Sequence, residues 1–112
     1  MVTIPPATPG IAQINQITVA PEHQAKLMAL MQAQVEEVMR HQPGFISSTL
    51  HRSQDGTRVV NYVQWATAEL LDAAHRHPDF QAHFARYRHY VLNGGPRLYD
   101  LAHQADAPAA PA

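Results

Sequence analysis

Two β-forming runs, FISSTLHRS (45–53) and RVVNYVQW (58–65), flank the four residues Gln54-Asp55-Gly56-Thr57. Asp-Gly between two β-runs is the strongest short hairpin signal, because glycine adopts positive φ cheaply. The two runs are therefore predicted to be antiparallel neighbours, and the rest of the chain has to be arranged around that hairpin. Upstream, IAQINQITV (11–19) is rich in β-branched residues and about one strand long. Pro21 then suits a first helical turn. Apolar residues at Leu27, Met28, Leu30, Met31, Val35, Val38 and Met39 oppose a polar face of Lys26, Gln32, Glu36 and Arg40. That spacing is helical, and Pro43-Gly44 ends it.

Downstream of the hairpin, Thr67 is a candidate N-cap for a second helix running to about His75. Pro78 interrupts it, and a further helical piece is expected over 79–92, with Phe80, Phe84, Tyr87 and Val91 on one face. Asn93-Gly94-Gly95-Pro96 reads as a break and RLYDLAH (97–103) as a last short strand. The order is β-α-β-β-α-β, so the fold class is α+β with a ferredoxin-like antiparallel sheet. Such a sheet carries its helices on one face, and nothing in the chain remains to cover the other. Two copies packed sheet to sheet would cover it, and a homodimer is expected. The domain spans residues 11–103, after a loose Pro/Gly arm at 1–10 and before a disordered Ala/Pro tail, QADAPAAPA, at 104–112.

Composition narrows the function classes. The chain of 112 residues is 46 % apolar and 15 % charged, enough for one cored domain. Its net charge of −1 and lack of a basic run give no footprint for nucleic acid. No apolar run approaches the roughly 20 residues that span a bilayer, so no membrane partner is expected. The absence of cysteine excludes disulfides and thiolate chemistry and fits a cytoplasmic protein, as does the lack of a signal-peptide pattern at the N-terminus. The eight histidines do not form a metal motif. His75 and His77 are two apart and His83 and His89 six apart, so neither pair shares a helix face. No metal is expected.

The chemistry centres on VVNYVQW (59–65), whose alternation puts Val59, Asn61, Val63 and Trp65 on one strand face. An amide among apolar residues is either hydrogen-bonded within the sheet or part of a pocket wall. A pocket wall is mostly apolar with a few placed polar groups. An amide N–H and an indole N–H would both donate to a developing oxyanion without carrying charge. His51 shares a strand face with Phe45, Ser47 and Thr49, and there it is either a base with a pKa near neutrality or a solvent-facing side chain.

The stretch PGFISSTLHRSQDGTRVVNYVQW, within nearly the whole domain, resembles the antibiotic biosynthesis monooxygenase family. Its look is that of the cofactor-independent quinone-forming (anthrone) monooxygenases, which are small dimeric α+β barrels. The resemblance implies that Asn61 and Trp65 line a substrate cavity, with Asn15, Val63, Leu71 and Phe84 also against the substrate. The stretch AHRHPDFQAHF is similar to one whose histidines border the pocket. The implied reaction takes a phenolic or anthrone-like aromatic and O2 to a quinone without cofactor, with Asn61 and Trp65 polarising the substrate oxygen. His51 or His75 would accept the proton and Arg86 would stabilise the anion. The family carries a tyrosine in the second helix near Leu71, and an arginine further along near Phe84, close to Arg86. Two alternatives stand beside this one. Haem-degrading members of the superfamily have an Asn, Trp and His where this chain has Asn15, Trp65 and His75, which implies haem with His75 as axial ligand. A non-catalytic dimer binding a small aromatic is the other.

Overall fold

A computed structural model describes residues 10–109. Its elements are β1 (Ile11–Thr18), α1 (Gln24–Glu37), β2 (Phe45–Arg52), β3 (Arg58–Trp65), α2 (Ala68–His75), α3 (Pro78–Tyr87) and β4 (Asn93–Asp100). Single 3-10 turns lead into α1 at Pro21 and follow both α1 and α3. The sheet is antiparallel throughout with strand order β2-β3-β1-β4. This is the ferredoxin-like α+β fold, with the second helical region divided at Pro78. The N-terminal arm, apart from Gly10, lies outside the described residues. Residues 104–109 are exposed and without regular secondary structure.

Local chemistry sets the hairpin and the helix starts. Ser53 Oγ and Thr57 Oγ1 each donate to Asp55 Oδ1 at 2.7 Å, and the Thr57 N–H donates to the same oxygen at 3.0 Å. These bonds, the Thr57 hydroxyl first, hold the Asp55 carboxyl down to about 2. Gly56 takes φ 81°, as the turn requires. Thr67 Oγ1 accepts from the Leu70 N–H at 3.2 Å and caps α2.

Two boundaries differ from the sequence expectation. α3 stops at Tyr87 rather than near 92, and β4 begins at Asn93, inside the Asn-Gly-Gly-Pro segment read as a break. β4 is an edge strand paired only with β1, and an edge tolerates Pro96, which lacks the ladder N–H. Gly94 at φ 96° lies so close to Gln16 that a Cβ would collide with that residue's carbonyl oxygen.

The helices cover one face of the sheet, and the core beneath them is in two parts. Ile17, Val19, Leu27, Met31, Val59 and Tyr87 pack at one end. Val38, Met39, Val63, Trp65, Leu71 and Ala74 pack at the other. Between them the strands place amides: Asn15 is the Cα partner of Asn61 and Gln13 that of Val63. The face carrying Val59, Asn61, Val63 and Trp65 thus runs from one apolar cluster, across a polar gap, into the second.

Candidate active site

The gap between the two clusters is a cavity of about 190 Å³ enclosed by the sheet and the helices. β1 supplies Gln13 and Asn15, β3 Asn61 and Val63, α2 His75, α3 Phe80, Phe84 and Tyr87, and α1 Gln34. Phe84, 37 % exposed, and the exposed Pro96 of β4 mark its mouth. A wider, open groove of about 610 Å³ runs over the outer face of the sheet between β1 and β4. The groove is larger, but the smaller cavity is the candidate site, because it is the more apolar space and holds a few directed polar groups.

Asn61 is held in one orientation. Ser48 Oγ donates to Asn61 Oδ1 at 2.6 Å, so the amide oxygen is engaged and the Nδ2 hydrogens are left for a ligand. Ser48 reaches this face because β2 is irregular after Phe45. Phe45 is the partner of Trp65, but Ser47 is already the partner of Gln64, so Ile46 is an extra residue. Such a bulge re-aims every side chain beyond it.

That bulge corrects the expectation for His51. With Ile46 inserted, Ser47, Thr49 and His51 lie on the outer face, and His51 is exposed opposite Val60. His51 does not face the cavity. Arg86 is also displaced from its expected place: it is exposed on α3, one residue before the buried Tyr87, and does not line the cavity. Trp65 and Leu71 are core residues of the second cluster and line no part of the cavity. The Trp65 ring is fully buried, with Phe45 edge-on at 5.5 Å, and its Nε1–H has no partner among the described residues. Asn15, Asn61, Val63, His75 and Phe84 are brought together around the cavity.

Several lining residues were not singled out as site residues in the sequence, Tyr87, Gln34 and Gln13 among them. Tyr87 Oη donates to Gln34 Oε1 at 2.7 Å, and Gln34 Nε2 donates to the Phe80 carbonyl at 3.2 Å. Burial pushes the Tyr87 phenol up to about 12, against the opposing effect of the Gln34 bond, so it stays neutral. Gln13 is buried, and its Nε2 lies 3.2 Å from His75 Nε2. Signals for them were present: Tyr87 shares the helix face of Phe80 and Phe84. Gln13 alternates with Ile11, Asn15 and Ile17 on the inward face of β1, and Gln34 falls within the apolar stripe of α1.

His75 is lowered below its ordinary pKa by burial, which outweighs the nearby Asp72 carboxylate. Its ring stacks on Phe80 with centroids 4.7 Å apart. His75 Nε2, the nitrogen that a haem iron would take, faces Gln13 Nε2 at 3.2 Å, and the cavity is about 190 Å³. Among the described residues no group of three His, Asp or Glu side chains is placed to hold a metal ion, and no helix is long and apolar enough to cross a membrane.

Comparison with known proteins places this arrangement. The family model described as antibiotic biosynthesis monooxygenase matches residues 10–86. A tetracenomycin-F1 monooxygenase of Streptomyces glaucescens is 42 % identical over 107 residues, covering 96 % of this chain and 95 % of the relative. The crystal structure of a monooxygenase of Streptomyces coelicolor in complex with the ligand nanaomycin D superposes with a TM-score of 0.70 at 28 % identity, over 92 % of this chain and 95 % of that one. A protein of Methanosarcina mazei shares the fold at TM-score 0.74 and 18 % identity, over 83 % of this chain and 93 % of that one.

Proposed function

The chain belongs to the antibiotic biosynthesis monooxygenase family and is a monooxygenase of it, and on that premise we propose that it oxidises a phenolic or anthrone-like aromatic to a quinone with O2 and no cofactor. The observation that carries this reading is Asn61. Its carbonyl is tied to Ser48 at 2.6 Å, and its N–H groups are left in a cavity without a charged residue among those that line it. A fixed, uncharged donor in a poorly solvated site stabilises an oxygen that gains negative charge as a ring proton leaves. His75, neutral and on the same cavity, takes that proton. The resulting carbanion passes one electron to O2, and the radicals combine as a peroxide. Loss of water from it leaves a ring CH2 converted to C=O, with one oxygen atom in the product and the other in water.

The named relatives support the substrate class: one acts in the tetracenomycin series and one was solved with nanaomycin D. The cavity takes the reacting ring, and a longer ring system would project past Phe84 and Pro96. A homodimer is part of the same proposal. On the outer face of the sheet the exposed Tyr99, and Leu101 which lies against that face, leave apolar surface that a second copy would bury.

The test is oxygen uptake by metal-stripped protein with dithranol as the anthrone. Consumption of O2 with formation of the quinone supports the proposal, and no uptake overturns it. Haemin titration checks the cofactor: no Soret shift is expected. Light scattering on the eluting protein gives the subunit number, and a monomer at working concentration removes the dimer from the proposal.

A further inference from the structure

Two titratable residues line the cavity, His75 and Tyr87, and no lining residue carries a formal charge. Tyr87 has its hydroxyl proton engaged with Gln34. His75 is therefore the one lining side chain able to take a proton near neutral pH. What faces it is uncharged: Gln13 from β1, the Phe80 ring from α3, and the Gln81 amide that donates to its carbonyl at 2.7 Å. Asp72, on its own helix, is the charge that acts on it.

An amide nitrogen can only donate. With Gln13 Nε2 at 3.2 Å, His75 Nε2 must be the acceptor, and the ring proton is on Nδ1. Two donors cannot face each other, so protonation of Nε2 requires the Gln13 amide to present its oxygen instead. A half-turn about its last torsion does this, and that torsion is broad and two-fold. The Gln34 amide, by contrast, is tied at both ends by Tyr87 and Phe80, whereas no second bond ties Gln13 among the described residues.

We propose that Gln13 is the positioning residue of a proton-accepting pair: it holds His75 as the Nδ1–H tautomer with its lone pair on Nε2, and turns over to accept from Nε2 once the substrate's proton has arrived there. This rests on the oxidation reading above. The substrate C–H first displaces the Gln13 N–H from the single Nε2 lone pair; the C–H bond then breaks, its electron pair stays on the substrate as the enolate, and the proton makes His75 an imidazolium whose Nε2–H is accepted by Gln13 Oε1 after the amide has turned over. The proton is returned when the peroxide loses water.

The experiment is imidazole 15N–1H spectroscopy of wild type, Gln13→Met and Gln13→Glu across the acid-to-neutral range, together with oxygen uptake on dithranol. Wild-type His75 is expected as the Nδ1–H tautomer. Gln13→Met, of similar length but without the donor, gives a mixed tautomer. Gln13→Glu raises the His75 pKa by about one unit or more, since a carboxylate favours the imidazolium. In turnover, Gln13→Met lowers kcat about tenfold with KM within about twofold, and the acid limb of kcat follows the pKa measured by NMR. An Nε2–H tautomer in wild type, or an unchanged tautomer in Gln13→Met, overturns the pair. Should Gln13→Met not fold, the wild-type tautomer and the Gln13→Glu shift decide it. If the spectra behave as expected and the wild type consumes no O2, the pair stands and the oxidation reading fails.

Discussion

Ser48 and Asn61 sit on adjacent strands, diagonal to one another, and the serine hydroxyl donates to the amide oxygen at 2.6 Å. The bond decides which end of the Asn61 amide a ligand meets. Asn61→Ala removes the donor and is expected to lower kcat about 10²–10³-fold. Ser48→Ala leaves the donor present but unoriented, and a drop of about tenfold is expected, with a stability loss of only about 0.5–1.5 kcal/mol by denaturant titration. Equal rates for wild type and Ser48→Ala would show that the amide needs no such support.

His51 and Arg86 stand outside the cavity. His51→Ala and Arg86→Ala are expected to leave kcat on dithranol within about twofold per folded subunit, as surface changes do. A tenfold loss in His51→Ala would move the proton acceptor away from His75.

Burial lowers the His75 pKa below its ordinary 6.5. The unfolded chain therefore binds this proton at a higher pH than the folded one, and folding stability falls as pH drops from about 6.5 toward the folded value. In His75→Gln that part of the acid slope should be gone. Urea midpoints over this range measure it, and an unchanged slope in the variant would assign the effect to another group.

Tyr87 is displaced the other way, to about 12 from 10.0. The protonated phenol is favoured in the folded state, so its contribution is complete below pH 10 and is lost as pH rises toward about 12. Near-ultraviolet titration should find one tyrosine ionising about two units late. Tyr87→Phe leaves Gln34 Oε1 without its donor and is expected to cost about 1–3 kcal/mol.

Trp65→Ala is a stability probe. The ring is fully buried in the second cluster, and its removal should cost about 3–5 kcal/mol. A small cost would mean that the cluster collapses into the space.

The sequence by itself determined the elements and their order. Asp55-Gly56 closes the hairpin and Thr67 caps α2, each through contacts within a few residues, so both were legible from local chemistry. Alternation placed Asn61 on a face with Val59, Val63 and Trp65, and that face does point at the helices. What only the tertiary structure decided is which side each neighbouring element shows. The extra residue at Ile46 carries no local signature, yet it turns Ser48 inward and His51 outward, because a slip of one residue exchanges the two faces of a strand. The same holds across the cavity. Gln13 and His75 are 62 residues apart and meet because α2 packs over β3, whose neighbour in the sheet is β1, so no spacing in the sequence announces their contact. Trp65 and Asn61 share a face, but one packed cluster buries the indole while the gap between the clusters exposes the amide to a ligand. Face is a property of the strand, and access is a property of what packs upon it.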